Sequence, residues 1–440
     1  PAALLARRTW RTLPKRLRPW LGGWAAAPVL ALAVLLGGGF GAGLAIGTRR
    51  LLSADGLHLP AGYRPITILW GAGLVLAGAG ALLGFAIGVP LRRRVRGVPE
   101  IVRLLRGEDG RDTAGDERLA ARAWARSAWE RRHLHQVALA VVLGMSTCAS
   151  ALLVADFGFH TLPGWLDPLS ALGLFALGAT AIGLLRVVYT AARQPGRDRR
   201  LGALADLVCF WPRAAHPTVP PCYALKAVPE LAARVTDHLT EPNTRVVLTG
   251  HGLGSLLAVA AAARVMHSAD VDRERVGLVT AGSPLQWYYQ RAFPAVLSHQ
   301  SLTSLYGALE GRWRGLARGT DRLGGGVTTW RQQVVEGRLL GDGYRTNGTT
   351  GPLPAAQPGP AGALVLGGDH WLPDPLRGAP GTRRWPAGVL GRVGYEFDPE
   401  WDRAVAIAAG LERPDTPARP AGEQASLFPD IARFTLNLTH

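Results

Sequence analysis

The stretch 246-VVLTGHGLGSLLAVAAAARV-265 decides how the C-terminal half folds. Val246–Leu248 is an apolar β run, Gly250–Gly254 is a glycine-rich turn, and an Ala/Leu-rich helical pattern leaves it. A strand that turns sharply into a helix is the setting of a nucleophile elbow, G-x-S-x-G. Gly250 and Gly254 take the outer positions. Gly252 stands in the middle, where the serine belongs. Glycine offers no oxygen for a histidine to deprotonate, yet it adopts strained turn conformations at little cost. The pattern predicts an elbow that keeps its fold and lacks its nucleophile.

The flanking sequence supports an α/β reading. Leu204–Phe210 reads as a buried strand and 211-WPRAAHPTVPPCY-223 as a loop. Val228–Leu239 reads as an amphipathic helix, Arg245–Leu248 as a strand, and Ser255–Met266 as a helix. Arg275–Thr280 and Trp313–Arg318 read as further strands. Strands alternating with helices predict a mostly parallel sheet covered on both faces. Segment 341–370 is rich in Gly and Pro, has little periodicity, and reads as a loop or insertion. Residues 413–440 read as a Pro-rich tail.

The N-terminal half has a different character. Pro19–Thr48, Ile66–Pro90, Gln136–Ala155 and Pro168–Leu185 are free of charge. About 20 apolar residues are enough to cross a bilayer. Four transmembrane helices are therefore predicted at about 21–47, 66–90, 136–156 and 166–189, in a membrane domain over 1–192. A soluble α/β domain over 201–412 follows. Gly43/Gly47 and Gly80/Gly84 offer small faces for helix packing.

The net charge of +17 is unevenly placed. Residues 1–200 carry 26 Lys and Arg against 11 Asp and Glu, whereas residues 201–440 carry 23 against 21. Basic excess beside apolar spans sets membrane orientation, so nucleic acid is not an expected partner. The segment before the first span and the 91–135 loop are rich in arginine, and the loop between spans three and four has neither Lys nor Arg. The positive-inside rule then puts both chain ends and the C-terminal domain in the cytoplasm. Cys148, Cys209 and Cys222 form neither a disulfide framework nor a metal spacing. The basic stretch 116–135 admits two readings, a helix resting on anionic lipid or a cytoplasmic extension of span three. The chain starts at Pro1 and not at Met, so its N-terminus is expected to be processed or missing.

Thr249–Ser255 resembles the elbow of lipase/esterase-like α/β hydrolases. Together with 280-TAGSPLQWYYQRAFP-294, 313-WRGLARGTDRLGG-325 and 370-HWLPDP-375, it resembles the C-terminal domain of multi-pass bacterial membrane proteins of that fold. The resemblance implies Gly252 at the nucleophile position, Asp321 as the acid and His370 as the general base. It implies Gly250 and Gly254 as elbow glycines and the Leu253 N–H as one oxyanion donor. A second donor is implied near Phe210–Arg213. Ser255 and Cys222 are weaker nucleophile candidates, and no cofactor or metal is expected. Three functions follow: a membrane-anchored, lipase-like pseudoenzyme binding an acyl or lipid-like ligand or a partner, an active serine ester hydrolase, or a membrane scaffold or docking protein.

Overall fold

The computed structural model describes residues 10, 13–24, 26–52, 63–91, 100–106, 114–159, 163–193, 224–268, 271–359, 362–374 and 389–413. The chain divides into two compact units. One gathers 1–19, 92–131 and 203–440, and the other 20–91 and 132–202. In chain order the first helices are α1 (Ala26–Leu51), α2 (Tyr63–Ala81), α3 (Glu100–Arg106), α4 (Ala114–Phe159) and α5 (Asp167–Arg193). The strand read at Leu204–Phe210, the donor loop near Phe210–Arg213 and the tail beyond 413 lie outside the described residues.

The second unit is helical. Arg64–Leu91, Arg118–Leu152 and Gly164–Gly183 are long and apolar enough to cross a membrane. They fall on the second, third and fourth predicted spans, and α1 runs through the first. The closest helix crossing here is between α2 and α5. A Cβ on Gly71 would overlap the Leu169 carbonyl, and one on Gly173 would overlap the Thr67 carbonyl. Thr67 Oγ1 and Ser170 Oγ hydrogen-bond at 2.6 Å beside it. Small residues let backbones approach this closely. Gly43 only touches the Leu177 side chain, and Gly47 faces open space. The tight contact therefore lies away from the glycine pairs that spacing suggested.

The first unit is α/β. Its helices are α6 (Ala224–Leu239), α7 (Gly254–His267), α8 (His299–Ala308) and α9 (Pro399–Ala408). Its main sheet has the order β1-β2-β3-β9-β8-β7. The strands are β1 (Val246–His251), β2 (Val276–Ala281), β3 (Trp313–Arg318), β7 (Gln357–Pro358), β8 (Leu364–Leu366) and β9 (Asp369–Leu372). Strands β1, β2, β3 and β9 are parallel, and β8 and β7 complete the edge antiparallel. Every residue of β2 and β3 is buried, as befits parallel strands covered on both faces. Val276 and Leu278 pack with Leu256, Val259 and Val265 of α7. Val279 and Ala281 pack with Ala404 and Ala408 of α9. Each Val or Leu side chain so buried contributes about 1.5–3 kcal/mol. Gly277 lets α9 close on β2, because a Cβ there would overlap the Ala408 carbonyl.

The segment read as a loop over 341–370 is instead built of short strands. β4 (Thr329–Val335), β5 (Arg338–Tyr344) and β6 (Thr350–Pro352) form an antiparallel sheet, followed by β7, β8 and the start of β9. The β4–β5 turn is Glu336-Gly337, both at positive φ. Such a two-residue turn is usually announced by Asn-Gly or Asp-Gly, so Glu-Gly hid the hairpin.

Two segments from the N-terminal half also belong to this unit. Leu17 is buried in the cluster that holds Leu248 and Leu278, and Arg291 Nε donates to the Arg18 carbonyl at 3.0 Å. The first half of α4 lies on the β3 end. Ser127 Oγ donates to the Gly319 carbonyl and Arg131 to the Gly324 carbonyl. Glu130 pairs with Arg322 at 2.6 Å, and the Trp124 and Trp371 rings lie 6.4 Å apart. The basic stretch up to Arg131 is thus part of one helix running on to Phe159, with Ser127, Glu130 and Arg131 engaged by protein. Residues 92–131, expected with the membrane domain, cluster with the α/β unit.

Candidate active site

The elbow sits at the carboxyl end of β1, where ligands bind in open parallel sheets. Gly252 has φ +58°, the left-handed conformation that the nucleophile position demands and that glycine adopts freely. Its N–H donates to the Ala281 carbonyl at 2.8 Å, which ties the turn to the end of β2. Gly250 is sterically required, since a Cβ there would press on the backbone of Gly254 and Ser255. Gly254 faces open space. Leu253 occupies the N-cap position of α7.

Ser255 is not a displaced nucleophile. It is fully buried, donates to the Gly252 carbonyl, and lies 2.7 Å from Ser283 Oγ. Ser283 also accepts the Leu285 N–H at 3.3 Å. These two hydroxyls brace the turn from behind. Cys222 lies outside the described residues.

The structure does not bring Asp321 and His370 together. Asp321 follows β3 and is buried. Its Oδ1 accepts the N–H groups of Leu323 and Gly324, each at 2.9 Å. Its Oδ2 accepts the Tyr395 hydroxyl at 3.1 Å. Burial, with the Asp321 charge next, raises the Tyr395 phenol well above its ordinary range, so it stays protonated as the donor. Asp321 therefore stands at the elbow end of the sheet, where the resemblance put an acid, bonded to a tyrosine and its own turn.

His370 lies inside the sheet, on β9 beside Leu316 of β3, fully buried. Arg314 Nε donates to its Nε2 at 2.8 Å. Its Nδ1 therefore carries the proton and donates to Glu400 Oε1 at 2.6 Å. Arg403 Nη1 donates to the same Glu400 oxygen at 3.1 Å. Both ring nitrogens are engaged. Desolvation, then the charges of Arg314 and Arg403, hold the imidazole well below its ordinary pKa. The assignment of His370 as general base to Asp321 is corrected: it is a core histidine. Being next to Asp369 in sequence explains the placement. Asp369 accepts N–H bonds from Val327, Thr328 and Thr329, which anchors the chain entering β4 and draws β9 into the sheet.

The histidine at the elbow is His251. Its Nε2 donates to the Arg392 carbonyl at 3.0 Å, and its ring lies 5.6 Å from that of Tyr395. Desolvation, then the Arg392 charge, hold it below its ordinary pKa. Arg392 escaped the sequence reading because 389-VLGRVGY-395 carries no motif. A Cβ on Gly252 would overlap its guanidinium, with Cζ 3.0 Å away. The guanidinium thus fills the space that a side chain at position 252 would take. Among the described residues no group of three or more His, Cys, Asp or Glu is disposed to hold a metal.

The family comparison addresses the same region. Residues 214–301 match the class 3 lipase family. The match spans α6, β1, the elbow, α7 and β2, so the chain carries a lipase-like domain. It ends before Asp321 and His370. No curated protein and no solved structure matches the chain.

Proposed function

We propose that this is a membrane-anchored, lipase-like protein that binds an acyl or lipid-like ligand and hydrolyses little or none of it. One observation carries the reading. The elbow backbone holds the nucleophile conformation at Gly252, but no Oγ stands there and the imidazole of His370 is spent on Arg314 and Glu400. Acyl transfer needs a nucleophile within hydrogen-bond reach of a base. The active-hydrolase alternative would need another serine, and Ser255 is buried behind the turn.

Membrane anchoring rests on the three apolar helices and the basic loops. The orientation has further support. The grouping of residues 1–19, 92–131 and 203–440 in one compact unit supports reading all three on the side that positive loops assign to the cytoplasm. The activity test is ester hydrolysis by the purified full chain. Nitrophenyl butyrate and octanoate should hydrolyse at the buffer rate. Saturable turnover that a serine-directed phosphonate abolishes would overturn the reading.

A further inference from the structure

The segment that carries Arg392 is fastened over the elbow from several sides. Asp374 accepts the N–H groups of Leu390 and Gly391, each at 2.8 Å. Arg318 donates to the carbonyls of Val393 at 2.6 Å and Gly394 at 3.2 Å. His251 holds the Arg392 carbonyl itself. Arg318 is in turn fixed by Asp398 at 3.2 Å and stacks on Tyr395. These clamps come from β1, β3, the end of β9 and the cap of α9. They fix the backbone so that one side chain drops into the nucleophile position.

Among the described residues the Arg392 guanidinium makes no hydrogen bond and no ion pair, although it stands at the end of the sheet where a lipase fold receives its ligand. The nearby carboxylates of Asp321 and Asp374 are occupied by Tyr395, Thr320 and backbone N–H groups. Val393 and Phe397, on the same segment, expose 69% and 63% of their surface. The segment that turns Arg392 toward Gly252 thus also presents apolar surface to the outside.

We propose that Arg392 converts the vacated nucleophile position into a carboxylate site that takes the free acid of a single-chain amphiphile, its tail lying along Val393 and Phe397. The inference rests on the acyl-ligand reading above and deepens it: the ligand is the acid, where an active enzyme would hold its ester. A guanidinium fork matches a carboxylate with two parallel hydrogen bonds. Burial, then the Arg392 charge, hold His251 below its ordinary pKa, with Glu396 and Asp321 in electrostatic range of the same ring, so Arg392 is the cation at the elbow that a carboxylate would meet. No covalent step is involved.

The test is calorimetric titration of the purified full chain in amphipol with octanoate, octanol and inorganic phosphate. Octanoate should bind at least about tenfold more tightly than octanol, the usual scale of a hydrogen bond to a charged group. Arg392→Gln should remove that advantage and leave octanol binding unchanged. Arg392→Lys should keep part of it, and Arg331→Gln, in the distant β4–β5 hairpin, all of it. Circular dichroism and the thermal midpoint check that each variant is folded. Octanoate binding by a folded Arg392→Gln variant as tight as wild type, or tighter, would overturn the inference, the latter marking Arg392 as a plug. Equal displacement of octanoate by phosphate would also overturn it. Equal binding of octanoate and octanol would remove the carboxylate site and leave the acyl-ligand reading standing. Binding of neither would remove both.

Discussion

Two clusters in the α/β unit contain histidine, arginine and acid, and they do different work. At the elbow, Gly252, His251, Asp321 and Arg392 lie at the carboxyl end of the strands, and the Arg392 guanidinium has no partner among the described residues. Around β9, Arg314, His370, Glu400 and Arg403 lie in the sheet and under α9, bonded to one another. The second cluster has the histidine and carboxylate of a catalytic pair, yet no route to substrate. The first stands at the strand ends with glycine at the central elbow position, and its histidine is bonded to the Arg392 carbonyl. Residue type alone does not separate structure from site. Burial and the number of bonds already made do.

The largest expected effect is at the inner cluster. His370→Ala should lower stability by about 2–5 kcal/mol, from the cavity left in the core and the buried hydrogen-bond partners, Arg314 Nε and Glu400 Oε1, that lose the imidazole. A fall in the thermal midpoint of the full chain measures it. A variant as stable as wild type would return His370 to the list of site residues.

Next come the outer elbow glycines. Gly250→Ala should cost about 1–3 kcal/mol, because the methyl meets the Gly254 and Ser255 backbone and overpacking of this kind is strained. Gly254→Ala opens the same helix into free space and should be neutral, or stabilising by up to about 1 kcal/mol. Equal losses at both positions would mean that the turn is not the tight elbow described.

A smaller effect lies in the pH dependence. Burial lowers the imidazoles of His370, His251 and His299 from 6.5. Their contribution to stability is present above that value and lost as pH falls below it. Burial moves Glu400 the other way, from 4.5 to about 7. Its contribution is present below 4.5 and lost as pH rises through about 7. Between 4.5 and 6.5 the two slopes oppose. Glu400→Gln removes one of them, so the variant should lose stability on acidification more steeply than wild type, by up to ~1.4 kcal/mol per pH unit. Thermal midpoints between pH 5 and 7 measure the difference, and parallel curves would show that Glu400 does not titrate in this window.

Much of this architecture was legible in the sequence. Strand Trp313–Arg318 has the bounds read from the sequence, and α7 and β2 fall within one or two residues of the reading. Those elements carry strong local signals, either continuous β-branched and apolar runs or a helical Ala/Leu pattern. The β4–β6 meander was missed because its strands are interrupted by glycines whose neighbours, such as Leu353 against Gly343, come from elsewhere in the fold. Gly252 and Asp321 stand out in the sequence because a motif and its chain order mark them. The burial of His370 and the intrusion of Arg392 depend on contacts 30 and 140 residues away along the chain, and no local pattern encodes those.

We propose that the elbow keeps its backbone and has lost its chemistry. Covalent labelling by a serine-directed fluorophosphonate, mapped by peptide mass spectrometry on wild type and Gly252→Ser, tests it most directly. The account predicts no labelled serine in the wild-type chain. It predicts none in Gly252→Ser either, because the new hydroxyl would displace the Arg392 guanidinium and find no histidine paired with Asp321. Phosphonylation of any serine in the wild-type chain, or rapid labelling at position 252 in the variant, would contradict it.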